Sequence, residues 1–294
     1  MTGATGFVGP KVVHALRERD LAVRCLVRKP SGNAAGTLAA WGCELVEGDL
    51  TDPGSLMRGV EGAEVVVHLV AIRQGSDDQF RTVMEQATRD LVAVATPVGV
   101  RRIVLMSALG TSEESRDLVP YYRAKWEMEQ TVAASGLEYV IFRPSFIFGK
   151  DGGILPTFRK LAQLAPVTPI IGSGKQRIQP IWVDDVAAYF AAGVDLPEAS
   201  GRIFELGGPD AVSWNEFWAQ LKQSLGQRRP SMHVPVGLMR VNAAITERLP
   251  GNIPLTRDLL RMLEHGDNVV TNDDAVETFG LPLVPFAEQL RRAA

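Results

Sequence analysis

Three side chains could do acid–base chemistry together if the fold brought them to one place: Ser107, Tyr121 and Lys125. Tyr121 and Lys125 stand four residues apart, so on a helix they share a face. A nearby ammonium favours phenolate, so Lys125 is expected to draw the tyrosine down from its ordinary pKa of about 10. Such a tyrosine protonates a carbonyl oxygen, or takes a proton from an alcohol, as hydride moves. Ser107, or Thr111 beside it, would hold the substrate oxygen, and Lys125 could also reach a ribose hydroxyl. The same spacing is common on solvated helix faces, so only its place in the fold gives it meaning.

That place is suggested by residues 2–9, TGATGFVG, whose glycines at 3, 6 and 9 give the spacing G-x-x-G-x-x-G. Gly3 and Gly6 let the backbone turn and approach a pyrophosphate, and Gly9 lets the next helix pack tightly. The helix N-terminus then attracts the phosphates. Gly3, Thr5, Gly6, Phe7, Val8 and Gly9 are therefore the expected phosphate cradle. Three glycines also occur in plain turns; here an amphipathic helix and a further strand follow, which favours the dinucleotide reading.

Cofactor choice is expected at the end of the next strand. An acid there would accept from ribose hydroxyls, but the sequence reads Leu26-Val27-Arg28-Lys29. Arg28, with Lys29, suits a 2′-phosphate and favours NADP(H) over NAD(H); the alternative is a solvated turn charge. Asp49, followed by Leu50, is placed either to meet an adenine amino group or to cap the turn into a helix. Val70 and Ala71 would line the adenosine, and His68 reads as a packed core histidine.

The elements needed to position these residues are those of an α/β chain with a Rossmann-type doubly wound parallel sheet. Strands are expected over 22–27, 43–46, 64–69, 102–107 and 137–142, with helices over 8–19, 80–95 and 121–134. Almost nothing precedes the glycine loop, so the first strand is expected to be truncated to a stub, its neighbours losing main-chain partners. Residues 1–150 are expected to form the dinucleotide domain. Residues 151–294 should form a smaller mixed lobe, with segments returning to the first. That lobe should hold strands near 178–182 and 203–206 and helices over 185–194, 214–225, 255–263 and 273–279.

Composition narrows the partners. Among 294 residues, 31 Lys and Arg face 34 Asp and Glu, a net charge of -3 that offers no broad basic field for nucleic acid. Cys25 and Cys43 read as reduced, buried thiols, and four scattered histidines give no metal spacing. No apolar run is long enough to span a bilayer. A cytoplasmic location follows, with membrane proximity only through a partner.

Beyond these readings, the segments at 2–9, 48–50, 121–125 (YYRAK), 143–149 (RPSFIFG) and 182–187 (WVDDVA) resemble the extended and atypical branches of the short-chain dehydrogenase/reductase superfamily. The resemblance implies that Pro144 and Ser145 neighbour the nicotinamide, and that Asp184 and Asp185 are structural or cleft residues. The tail, with PLTRDLLRML (254–263), HGDNVV (265–270) and FGLPLVPFAEQL (279–290), is similar to the nucleotide-binding accessory subunit of respiratory complex I. Three functions follow as expectations. The first is an NADP(H)-dependent reductase or dehydrogenase of a small carbonyl or alcohol. The second is a non-catalytic NADPH-holding partner in a respiratory or quinone-related complex. The third, an epimerase or dehydratase retaining NAD, is disfavoured by Arg28.

Overall fold

The computed structural model describes residues 1–246 and 256–293, in two compact units. The first comprises Met1–Pro144, Val183–Leu206 and Asn272–Pro282. Its strands are β1 (Arg24–Val27), β2 (Glu44–Glu47), β3 (Val65–His68), β4 (Arg102–Met106) and β5 (Glu138–Pro144), joined by Arg202–Leu206. All pair in parallel, in the spatial order β2, β1, then β3, β4, β5 and Arg202–Leu206. Helices cover both faces, which is why Ile103, Val104 and Leu105 of β4 are all fully buried. The observed strands lie within two residues of the expected ones.

Between β1 and β3 lies the stub. Thr2 bridges in parallel to Leu26 on one side and His68 on the other. The loss of main-chain partners expected for its neighbours does not occur. The Leu26 N–H donates to the Met1 carbonyl at 3.0 Å, the Thr2 N–H to Val67 at 3.0 Å and the Leu69 N–H to Thr2 at 3.3 Å. Two residues suffice because each faces a different neighbour, so a short segment satisfies groups on both sides.

The helices of this unit begin with α1 (Gly9–Arg17), α2 (Asn33–Ala40) and α3 (Pro53–Val60). α2 and α3 were not expected from periodicity; both are only eight residues long. The helix expected over 80–95 is three pieces: α4 (Asp77–Phe80), a π-helical turn (Arg81–Gln86) and α5 (Ala87–Ala95). A Ser76–Gln79 capping box starts it. Then α6 (Pro120–Ala133) opens on a proline, which costs nothing in the first turn.

On one face of the sheet, Leu56, Val60, Met84, Leu91, Met128 and Ile141 belong to one apolar core. The other face carries α1 and the helix Val183–Gly193. There Phe142 packs among Tyr189, Phe190, Phe204 and Phe279, with ring centroids 4.9 to 6.1 Å from its own. Truncating so buried a ring costs about 3–5 kcal/mol.

The second unit comprises Ser145–Trp182, Gly207–Thr271 and Leu283–Ala294, as far as described. Its strands are short: Ile147–Phe148 pairs with Ile181–Trp182, Thr168–Ile171 with Ser231–Val234, and Arg177–Ile178 with Val212–Ser213. The single strand expected near 178–182 is thus two, broken at Gln179-Pro180, where proline has no N–H to pair. Helices run over Leu155–Leu164, Trp214–Ser224, Val236–Thr246, Arg257–Glu264 and Phe286–Ala293, around a core containing Phe148, Phe158, Phe217, Trp218 and Phe286. Residues 254–255, part of the tail motif and of the helix expected over 255–263, lie outside the described residues.

Candidate cofactor and active site

The glycine loop connects the Thr2 stub to α1, so its conformation decides what the helix N-terminus can meet. Gly3 takes a φ of +77°, a left-handed conformation that side chains disfavour. A Cβ on Gly9 would lie 2.5 Å from the Ala4 carbonyl carbon and collide with the Gly3 oxygen. Gly9 therefore lets α1 start directly against the loop. Thr5 and Gly6 are exposed at the crest, Phe7 is half-buried and Val8 is buried. No side chain caps α1, and its first turn carries no acid. The orphan N–H groups and positive dipole end are thus left for an anion.

Gly3 also packs on the end of β3, where a Cβ would lie 3.2 Å from Leu69 and from the Val70 nitrogen. Half-buried Val70 and Ala71 follow directly. Arg28 and Lys29 are exposed after β1. Asp49 closes the turn that leads into the next helix, while the helix N-cap itself is Asp52, accepting from the Gly54 and Ser55 N–H groups. Asp49 accepts from the Thr51 N–H at 2.9 Å and its hydroxyl at 2.8 Å. Those bonds hold its carboxyl below the usual range, with Arg28 adding a smaller pull. Leu50 is buried in the core, and half-buried Gly48 has its Cα facing Ser55 too closely for a side chain.

His68 is wholly buried, its Nδ1 2.6 Å from the Thr2 hydroxyl and its Nε2 3.0 Å from the Thr88 hydroxyl. Burial, aided by Lys125 and the Met1 ammonium, pushes its pKa down to about 3, so it is neutral. It is the core histidine expected, and it ties the stub to α5.

Ser107 follows β4 and donates its N–H to the Phe142 carbonyl at 2.7 Å. Its hydroxyl is buried and has no hydrogen-bond partner, as is also true of Thr111. Lys125 is fully buried, donates to the Met106 carbonyl at 2.6 Å and lies 5.9 Å from the centre of the Tyr121 ring. The expected helix face is therefore present. The expected acidification of Tyr121 is not: burial, followed by neighbouring Tyr122, raises its pKa. The ring packs edge-on against Phe80, while the ammonium is engaged at Met106. Burial lowers the Lys125 pKa to about 7, opposed by Glu129.

The sequence reading missed Glu129 and Arg143. Arg143 grips the fully buried Glu129 carboxylate through two bonds of 2.9 and 2.6 Å. The available signal was a carboxylate four residues beyond Lys125. Pro144 ends β5 and accepts from the Leu109 N–H at 2.9 Å. Ser145 belongs to the second unit, where its hydroxyl is 2.6 Å from Asn268 Oδ1. Asp184 pairs with Lys11 of α1 at 3.0 Å, and Asp185 is buried on the same helix. Both lie within the first unit, and the Asp184 pair joins two helices that cover the same face of the sheet.

The residues present fit a dinucleotide: an uncapped helix end behind a cradle that a Cβ on Gly9 would fill, and an orphaned buried hydroxyl at Ser107. The comparisons agree. A family model described as NAD(P)H-binding matches residues 3–164. This chain belongs to the NAD(P)H-binding family. It falls with the atypical short-chain dehydrogenase/reductases, and a model of the RmlD substrate-binding domain matches residues 110–254.

The chain is 31% identical over 251 residues to a ceramide reductase of Caulobacter vibrioides, covering 83% of this chain and 76% of that one. It is 28% identical over 241 residues to the photosystem II assembly factor Ycf39 of Cyanophora paradoxa, covering 81% and 72%. Its fold matches the Escherichia coli NADPH-dependent quinone oxidoreductase QOR2 with NADPH, at a TM-score of 0.80 and 21% identity, over 98% and 97% of the two chains.

Among the described residues no helix is long and apolar enough to cross a membrane, and no cluster of His, Cys, Asp or Glu could hold a metal. Cys25 and Cys43 are free and buried, and burial pushes the Cys25 thiol up to about 12.

Proposed function

We propose that the protein is an NADP(H)-dependent reductase of a small, apolar carbonyl substrate, or the matching alcohol dehydrogenase. The observation carrying this reading is the buried, unpartnered Ser107 hydroxyl beyond β4, together with Tyr121 and Lys125 on one face of α6. An unpaired buried hydroxyl costs about 1–3 kcal/mol, a cost that a substrate oxygen would offset. Bound nicotinamide would supply or take the hydride. Tyr121 delivers the proton to the substrate oxygen, Ser107 positions that oxygen and Lys125 holds the cofactor ribose.

The raised Tyr121 pKa suits the reductive direction, in which the phenol must hold its proton until the oxygen gains charge. The 2′-phosphate of NADPH would meet Arg28, supported by Lys29, where an acid would repel it. Relatives whose names denote reductases support this chemistry. Replacing Tyr121 with Phe is the test. NADPH affinity should stay within about threefold while carbonyl reduction falls about 10²–10⁴-fold, the usual contribution of one acid–base group. Unchanged reduction would remove Tyr121 from the chemistry.

A second reading has its own support in the likeness to an assembly factor and in the tail motifs. On it, the protein holds NADPH without turnover and serves a respiratory or quinone-related assembly. Pull-down at native expression separates the two: a stable complex with such an assembly favours this reading, and free monomer counts against it.

A further inference from the structure

The charges behind the site form a row that the reductase reading does not use. Glu129 lies one helical turn beyond Lys125 on α6 and, like it, is fully buried. Its two oxygens are held by Arg143 Nε at 2.9 Å and Nη2 at 2.6 Å, the planar bidentate fit that fixes both partners. Arg143 stands opposite Glu205 in the strand register.

We propose that Glu129, locked by Arg143, is a positioning residue for Lys125, supplying the counter-charge that keeps its ammonium present for the cofactor ribose. This rests on the reductase reading above in giving Lys125 that ligand.

A lone buried ammonium gives up its proton rather than remain charged. The single hydrogen bond from Lys125 to the Met106 carbonyl is satisfied by a neutral amine as well as by an ammonium. A carboxylate one turn away favours the ammonium, and the carboxylate is stable there because Arg143 shares its charge. Burial and Glu129 act on Lys125 in opposite directions, the first lowering and the second raising its proton affinity.

The other titratable groups around the cluster are few. Tyr121 lies on the same helix and is neutral, His68 comes from β3 and is neutral, and Arg143 comes from β5 with Glu205 behind it. α5 contributes the Thr88 hydroxyl, already bonded to His68 and to Met84. Glu129 is the carboxylate among them on Lys125's own helix face.

The test is the pH dependence of NADPH affinity in the full chain, read by nucleotide fluorescence from pH 5.5 to 9. Four variants are used: Glu129→Gln, Glu129→Asp, Arg143→Gln and Lys125→Met. In the unsubstituted protein, affinity should fall as Lys125 loses its proton. With Glu129→Gln that fall should move to lower pH by about one unit, giving roughly tenfold weaker binding at pH 8 and little change at pH 5.5. Glu129→Asp should restore most of the profile. Arg143→Gln strips the buried carboxylate of the partner that keeps it charged, and should also move the fall to lower pH. Rescue by Glu129→Asp, with little change at pH 5.5 in any of the three, is not what general damage produces.

If Lys125→Met weakens binding but neither Glu129→Gln nor Arg143→Gln moves the profile, the positioning role is overturned and the reductase reading stands. If Lys125→Met leaves affinity unchanged at every pH, Lys125 is no ribose ligand and both fall. Should Glu129→Gln not fold, Glu129→Asp and Arg143→Gln still decide the matter, the first by keeping the profile and the second by moving the fall to lower pH.

Discussion

The Thr2 hydroxyl lies 2.6 Å from Nδ1 of His68, and the bonds on the far side of the ring settle which nitrogen carries the proton. Thr88 has one hydroxyl proton, and it goes to the Met84 carbonyl at 2.6 Å. The Thr88 oxygen must therefore accept from His68 Nε2–H at 3.0 Å, leaving Nδ1 to accept from Thr2. The chain Thr2–His68–Thr88–Met84 fastens the stub immediately before Gly3 to the helical layer, ending in the π-helical turn. A neutral histidine thus anchors the root of the cofactor loop.

Replacing His68 with Leu should cost about 1–3 kcal/mol in urea unfolding, because the Thr2 hydroxyl is left buried without its acceptor. An acid limb should disappear with it. The folded histidine titrates near 3 and the unfolded one near 6.5, so between those values only the unfolded state binds the proton. Stability should be fully present above about pH 6.5 and fall as pH drops, by up to about 1.4 kcal/mol per unit. A flat difference between the two proteins from pH 4 to 7 would contradict this.

Gly9→Ala should weaken NADPH binding at least tenfold and lower Tm, because α1 must move off the loop to admit the methyl group. Gly36→Ala, in exposed α2, meets nothing within 4 Å. It should leave binding unchanged and add about 0.4–1 kcal/mol of stability. Equal effects from the two would mean that the loop's close approach is unimportant.

Lys125 predicts a second pH signature with its own window. Its folded pKa of about 7 lies below its ordinary 10.5, so between them the unfolded chain binds the extra proton. Stability of the apo protein should rise with pH across that window, and Lys125→Met should flatten the rise. Unfolding midpoints from pH 6.5 to 9.5 would show it, unless the lysine is ordinary and both curves coincide.

Arg28→Ala should reduce NADPH affinity about tenfold or more while leaving NADH nearly untouched, because the lost bond is charge-assisted and particular to the 2′-phosphate. Equal losses for both nucleotides would assign Arg28 to the loop's structure instead.

Much of the first unit was legible because its signals are local. The glycines at 3, 6 and 9, the apolar runs ending at His68 and Met106, and Pro120 opening α6 each act over a few residues. A helix after Asp49 is expected and α3 is there, but its bounds are not legible although Asp52-Pro53 is a cap followed by a first-turn proline, because its eight residues give too little periodicity. The π-helical turn over Arg81–Gln86 carries no sequence signature. The pairing of Thr168–Ile171 with Ser231–Val234 joins segments sixty residues apart, which no local pattern reports. Tyr121 was placed correctly on its helix but given the wrong acidity. Spacing shows which groups share a face, whereas pKa depends on how deeply they are buried and on where the lysine's hydrogen bond goes.

The most direct test of the whole account is a fluorescence titration of the purified protein with NADPH and NADH, with Gly9→Ala in parallel. NADPH should bind tightly, NADH at least tenfold more weakly, and the variant should lose both. Binding of neither nucleotide, or equal binding that Gly9→Ala leaves intact, would contradict it.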